Sequence, residues 1–183
     1  MNETLATLTT RRSAEHFKPE HISGEEIDQI VAAGLNAPSG MNAQDALFLV
    51  VQDDATVAKL SELNANVMKA SMAKTNPAMA NMNIDPFHGA KDVIAVVTRK
   101  SMANVYDGSL AMGNLMNAAW SMGIDSRWIH RAKEVFATDE GKAILAKAGI
   151  TEEVEGIGFC VLGHSAEPTQ KKETKPDRVY RIG

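Results

Sequence analysis

Val93-Ile94-Ala95-Val96-Val97 is a continuous apolar run of mostly β-branched residues, with no polar residue at alternate positions. A strand wetted on one face alternates, so an unbroken run predicts a strand covered on both faces at the centre of a sheet. Working outward, Leu47-Phe48-Leu49-Val50-Val51 and Ile157-Gly158-Phe159-Cys160-Val161-Leu162 have the same character. Helical patterns separate these runs. Ser23-Gly24-Glu25-Glu26 has the spacing of a capping box, and Ile27, Ile30, Val31 and Leu35 recur at helical intervals up to the break at Asn36-Ala37-Pro38-Ser39-Gly40. Residues 2–12 read as an earlier helix capped by Asn2, with Leu5 and Leu8 on one face. A further helix runs from about Ala55 to Lys74, and a small-and-apolar one from Leu110 to Trp120 follows Asp107, with enough Gly and Ala to pack closely on another helix. Thr138 caps a last helix that ends at Gly149. Strands interleaved with helices, without strict βαβ periodicity, predict an α+β sandwich of sheet and helices.

The 183 residues suit one compact domain spanning 1–183. A hydrophobic content of 44% and a charged content of 23% are those of a globular protein, and no apolar stretch is long enough to span a bilayer. Asn2-Glu3-Thr4 leads into a mixed segment rather than an apolar signal region, so a cytoplasmic location and no membrane partner are expected. The net charge of -4 argues against nucleic-acid binding. Cys160, the lone cysteine, lies within an apolar run and reads as a structural thiol. The five histidines, at 16, 21, 88, 130 and 164, lack metal-ligand spacing, so no metal is expected. There is no Gly-x-Gly-x-x-Gly fingerprint, hence no expectation of a dedicated nicotinamide domain.

Arg11-Arg12-Ser13 ends the first helix, and Pro38-Ser39-Gly40-Met41-Asn42-Ala43-Gln44 follows the second. Guanidinium, hydroxyl and amide groups at such junctions can converge on a polar, anionic ligand. Singly, the first is also an ordinary cationic helix end and the second an ordinary turn. In this order the two motifs resemble those of the FMN-dependent nitroreductase family, Arg-Arg-Ser-x-Arg-x-Phe and Pro-Ser-x-x-Asn-x-Gln-Pro. The resemblance continues through Asp107–Trp120 as a long central helix, Gly123–Ile129, Gly158–His164 and Asp177–Tyr180, and so covers nearly the whole chain.

That resemblance implies an intertwined homodimer, each subunit a mostly antiparallel sheet flanked by helices, with two FMN sites at the interface and residues 165–183 as a tail reaching the partner subunit. Arg11 and Ser13 would contact the phosphate, and Arg12 the pyrimidine edge or ribityl chain. Lys172 and Lys175 would add charge from the tail, although a solvated basic terminus is as ordinary a reading. Pro38, Ser39, Asn42 and Gln44 would come from the partner subunit, Asn66 and Lys69 would approach the pyrimidine, and the backbone of Ile129 and His130 would lie near flavin N5. No side chain is expected to be catalytic. NADH or NADPH would reduce the flavin and be replaced by a nitroaromatic, quinone or similar acceptor, giving ping-pong kinetics. The rival readings are a flavin-binding sensor or storage protein and a binder of another phosphorylated ligand.

The chain departs from the pattern twice. Asp45 replaces a proline, and Glu15 stands where a basic residue would look toward the N1 and C2=O edge of the flavin. A carboxylate there opposes the anionic reduced flavin unless it points away or pairs with Arg12 or Lys69. Residues 81–89 form a candidate lid, and Met79, Met82 and Phe87 are expected to line an adaptable acceptor pocket.

Overall fold

The computed structural model describes residues 2–170 and 173–183, apart from the side chains of Met79 and Ala80. Its helices are α1 (Glu3–Thr10), α2 (Gly24–Leu35), α3 (Asp54–Ala73), α4 (Asn104–Ser121), α5 (Ala132–Ala137) and α6 (Asp139–Lys147). The strands are β1 (Ala46–Val51), β2 (Asp92–Arg99), β3 (Asp125–Ile129) and β4 (Val154–Gly163). They form one sheet in the order β1-β2-β4-β3, with every neighbouring pair antiparallel. The expected α+β architecture is therefore present.

The unbroken apolar runs sort into two cores because successive side chains leave opposite faces of a strand. Val93, Ala95 and Val97 of β2 join Phe159 and Val161 of β4 beneath α3, α5 and α6. Ile94 and Val96 join Cys160 and Leu162 beneath α2 and α4, where Ile27, Ile30, Met112 and Leu115 pack. Full burial of each large aliphatic side chain contributes about 1.5–3 kcal/mol. The register slips between Val96 and Val97, so Ile157 is left over as a bulge residue and joins the second core.

The caps form as the sequence requires. Asn2 accepts from the Leu5 amide, and Ser23 and Glu26 complete a reciprocal capping box. Thr138 caps α6, and Gly149 follows it at φ +87°, a left-handed conformation that suits glycine.

Two elements were not foreseen. Strand β3 reads Asp-Ser-Arg-Trp-Ile, without an apolar run, and α5 is only six residues long. Both are held against β4 at glycines. A Cβ on Gly158 would lie 2.2 Å from Trp128 Nε1, and one on Gly156 would lie 2.3 Å from the Ala132 carbonyl carbon. These close approaches press the end of β3 and the start of α5 onto the sheet. Among the described residues no helix is long and apolar enough to cross a membrane.

Candidate functional site

Helix α1 ends at Arg11, and the chain then runs along the ends of β3 and β4. Ala14 N–H donates to the Ser126 carbonyl at 3.3 Å, Phe17 N–H to His88 at 3.0 Å, and Lys18 N–H to His164 at 2.9 Å. Ala166 N–H returns to the His16 carbonyl at 2.9 Å. Buried Ala14 and Phe17 lock this segment to the core, so Arg11, Arg12, Ser13 and Glu15 face outward from a fixed backbone. These four residues line a cavity of about 410 Å³ that is closed by residues 165–170. Arg11 Nη1 donates to the Arg12 carbonyl, and Arg12 Nη1 to those of Arg11 and Thr9. Among the described residues no hydrogen bond engages their Nη2 and Nε groups, and the planar fork suits an anion.

Asn66 and Lys69 lie on α3 and line a second cavity of about 440 Å³, whose far wall is the chain from Asn83 to Lys91. That wall is not a lid over its whole length. Asp85 accepts from Ser61 Oγ and from the Phe87 and Gly89 amides, which fixes the turn. Phe87 is 1% exposed and packs on Phe159 with ring centroids 5.2 Å apart, so it is a core residue that also contributes to the wall of this cavity. Met82 is exposed, and the side chain of Met79 lies outside the described residues.

Glu15, on the wall of the Arg11 cavity, pairs with Arg127 of β3 at 2.8 Å. This is neither of the partners expected for Glu15. His88 lies beside the pair, and its imidazole is held below its ordinary range first by burial and then by the Arg127 charge.

After β3, Ile129 is buried and His130 is exposed. The turn into α5 is fixed by Asn64, a fully buried α3 residue whose Nδ2 donates to the His130 carbonyl at 2.6 Å. Arg131 is held at φ +77°, a conformation that costs a non-glycine residue about 1–2 kcal/mol. Asn64 was not anticipated, and nothing in its local sequence marks it: the partner is 66 positions away.

The Pro38–Gln44 segment forms a third region. Both carboxylate oxygens of nearly buried Asp107 accept from Gly40 N–H, at 3.0 and 3.1 Å. Gln44 N–H donates to Ser39 Oγ, and Gln44 Nε2 to Asn42 Oδ1. The backbone carbonyl of Asp45 accepts from Arg99 N–H at 3.0 Å and so ties the exit of the turn to β2, a bond that a proline there would also make. Pro38, Ser39 and Gln44 line a recess of about 90 Å³, separate from the Arg11 cavity. Lys175 lines none of the described cavities, and Lys172 lies outside the described residues. A roomier cavity, about 540 Å³ between β1, α3 and α6, contains none of the expected residues.

The chain matches the model of the nitroreductase family over residues 8–164. It is 27% identical, over 98% of its length and 72% of the relative's, to the FMN reductase [NAD(P)H] of Bacillus subtilis. It superposes on a nitroreductase with bound FMN from Bacteroides fragilis with a TM-score of 0.87 and 25% identity, covering 100% of both chains. An FMN-bound nitroreductase of Desulfitobacterium hafniense gives a TM-score of 0.85 at 22% identity, again over 100% of both chains. The matched span holds the whole sheet, the Arg11 segment and the Pro38–Gln44 turn, and the chain belongs to the nitroreductase family.

Proposed function

We propose that this protein is an FMN-dependent oxidoreductase that passes reducing equivalents from NADH or NADPH to a nitroaromatic, quinone or similar organic acceptor. The observation that carries this reading is the cavity in which Arg11 and Arg12 keep guanidinium donors available beside Ser13. Two planar cations and a hydroxyl suit a terminal phosphomonoester. Asn66 offers both donor and acceptor to a ring edge, and Lys69 a cation. The Ile129–His130 backbone, held by Asn64, presents fixed peptide groups beside the ring. When bound, FMN supplies the two-electron chemistry. The protein's residues bind the cofactor, orient it and shield one side from water, while donor and acceptor use the open side in turn.

The reading includes a homodimer. Leu5 and Leu8 of α1, Tyr106 and Leu110 of α4, and Val179, Tyr180 and Ile182 of the tail are exposed in the single chain. Such a set of large apolar groups on separate elements fits burial by a second copy, with the end of the tail reaching across beyond residues 165–170, which close this chain's own Arg11 cavity. Pro38, Ser39, Asn42 and Gln44 then complete the partner's site, and Lys175 comes near its phosphate.

The test is the chromophore. Purified protein should be yellow, release FMN rather than FAD on denaturation, and bleach anaerobically with NADH or NADPH. A preparation that binds no added FMN sinks the reading; one that binds FMN but is not reduced is a binding protein without turnover.

A further inference from the structure

One wall of the Arg11 cavity carries Arg11, Arg12 and Ser13, and the chain from Ser165 to Gln170 forms the other, with Glu167 on it. That second wall is a strap pinned at its start. Ser165 N–H donates to the Asp125 carboxylate at 2.9 Å, Ala166 N–H to the His16 carbonyl at 2.9 Å, and Ser165 Oγ to the Glu167 carbonyl at 2.5 Å. Pro168 then fixes its own φ. Glu15 is paired with Arg127, whereas the Glu167 carboxylate has no hydrogen bond or ion pair among the described residues. Behind the strap lies a further space of about 370 Å³, bounded by Lys18 and Asp125 and by the same Ser165, Glu167, Pro168 and Thr169. Room for a larger ligand therefore exists, and the strap partitions it from the guanidinium groups.

Resting on the FMN reading above, we infer that this strap, through Glu167, makes the cavity selective for a terminal phosphomonoester and excludes a ligand that continues through a second phosphate, FAD among the flavins. A monoester carries about 1.5–2 negative charges on one phosphate at neutral pH, which two guanidinium groups can share. A dinucleotide spreads a similar charge over two phosphates. Only the first can lie against Arg11 and Arg12, and the second, with the adenosine behind it, has to run toward the strap. There it meets a carboxylate with no cation of its own, in a cavity closed enough that screening is incomplete. The pinned backbone limits how far that carboxylate can yield.

The experiment measures the affinities of FMN, FAD and riboflavin by titration calorimetry for wild type, Glu167→Gln, Glu167→Asp and Ser165→Ala. Wild type should hold FMN more tightly than FAD. Glu167→Gln should raise FAD affinity about tenfold and FMN affinity by no more than about threefold, and leave riboflavin, which has no phosphate, unchanged. Glu167→Asp keeps the charge and should keep the FMN-to-FAD ratio. Ser165→Ala unpins the strap without changing its charge and should lower the ratio by a smaller factor. A wild-type ratio in Glu167→Gln overturns the inference, as does riboflavin affinity rising in step with FAD, which a general loosening of the strap would produce. Wild type that binds FAD as tightly as FMN overturns it too and leaves flavin binding intact; wild type that binds no flavin removes the parent reading.

Discussion

Residues 13–17 and residues 38–44 both leave a helix and both carry motif residues, but they are built in opposite ways. The first is tied down by backbone hydrogen bonds with Ser126, His88 and Ala166, with Ala14 and Phe17 buried beneath it. The second is joined to the body of the protein at Gly40 by the Asp107 carboxylate and otherwise bonds largely to itself. Met41, Asn42 and Gln44 all have positive φ, at 51°, 56° and 52°. Each left-handed non-glycine residue costs about 1–2 kcal/mol, so the turn is a shape held at some expense. It exposes Met41, Asn42 and Gln44 outward. The first segment is tied down by its own chain, whereas the second is held at one point and leaves its motif residues exposed.

The largest effect that tests this contrast is Asp107→Ala. It leaves the part-buried Gly40 N–H without its charged acceptor and should cost about 1.5–3 kcal/mol of stability in urea unfolding. Limited proteolysis should then cut within residues 38–44 and not within 13–17. Unchanged unfolding and an uncut turn would show that other contacts hold it.

Arg11→Ala should act in the reverse manner. The stitched backbone remains, so unfolding should stay within about 0.5 kcal/mol of wild type, while FMN affinity falls by about 1.5–3 kcal/mol, measured by fluorescence quenching of added FMN. Equal losses of stability and affinity would mean that Arg11 belongs to the scaffold rather than to the site.

A smaller effect is expected for Ser39→Ala. The hydroxyl accepts from the Gln44 amide at an exposed position, and its loss should cost about 0.5–1.5 kcal/mol. If the turn completes a partner's site, FMN affinity should fall along with the turn's order. An affinity that does not move would separate the turn from the flavin.

Much of this architecture was legible because local chemistry decided it. The three apolar runs became strands β1, β2 and β4, and Ser23–Glu26 capped α2, since each depends on neighbours in sequence. Strand β3 escaped because its outward Arg127 and buried Ser126 break the apolar signal, and its place is set by pairing with β4 some thirty residues later. The depth of Phe87 was not legible, because a loop rich in Asn and Met looks wet while one aromatic dips from it into the core beneath the Asn66–Lys69 cavity. The motif segments were visible by type and order, but the Glu15–Arg127 pair, 112 positions apart, and Asn64 beneath the His130 carbonyl are products of tertiary folding. Sequence spacing has no term for either.

The smallest expected effect is a pH dependence confined to the stitched segment. His88 accepts the Phe17 amide through its carbonyl, and its imidazole is depressed below 6.5 by burial first and by Arg127 second. Unfolded chain therefore binds the proton before native chain does. In the window from about 6.5 down to the depressed value the unfolded state holds more protons, so stability falls as pH falls there, and above it this contribution is fully present. His88→Asn suits the local φ of +56° and removes the titrating group, so its stability should vary less across that window. Native-state hydrogen exchange gives the sharper comparison. The protection factor of the Phe17 amide should decline on acidification in wild type and less so in His88→Asn, while that of Gly40, anchored by Asp107, should follow the same course in both. An equal decline at Phe17 in the two proteins would assign the acid sensitivity to a group other than His88.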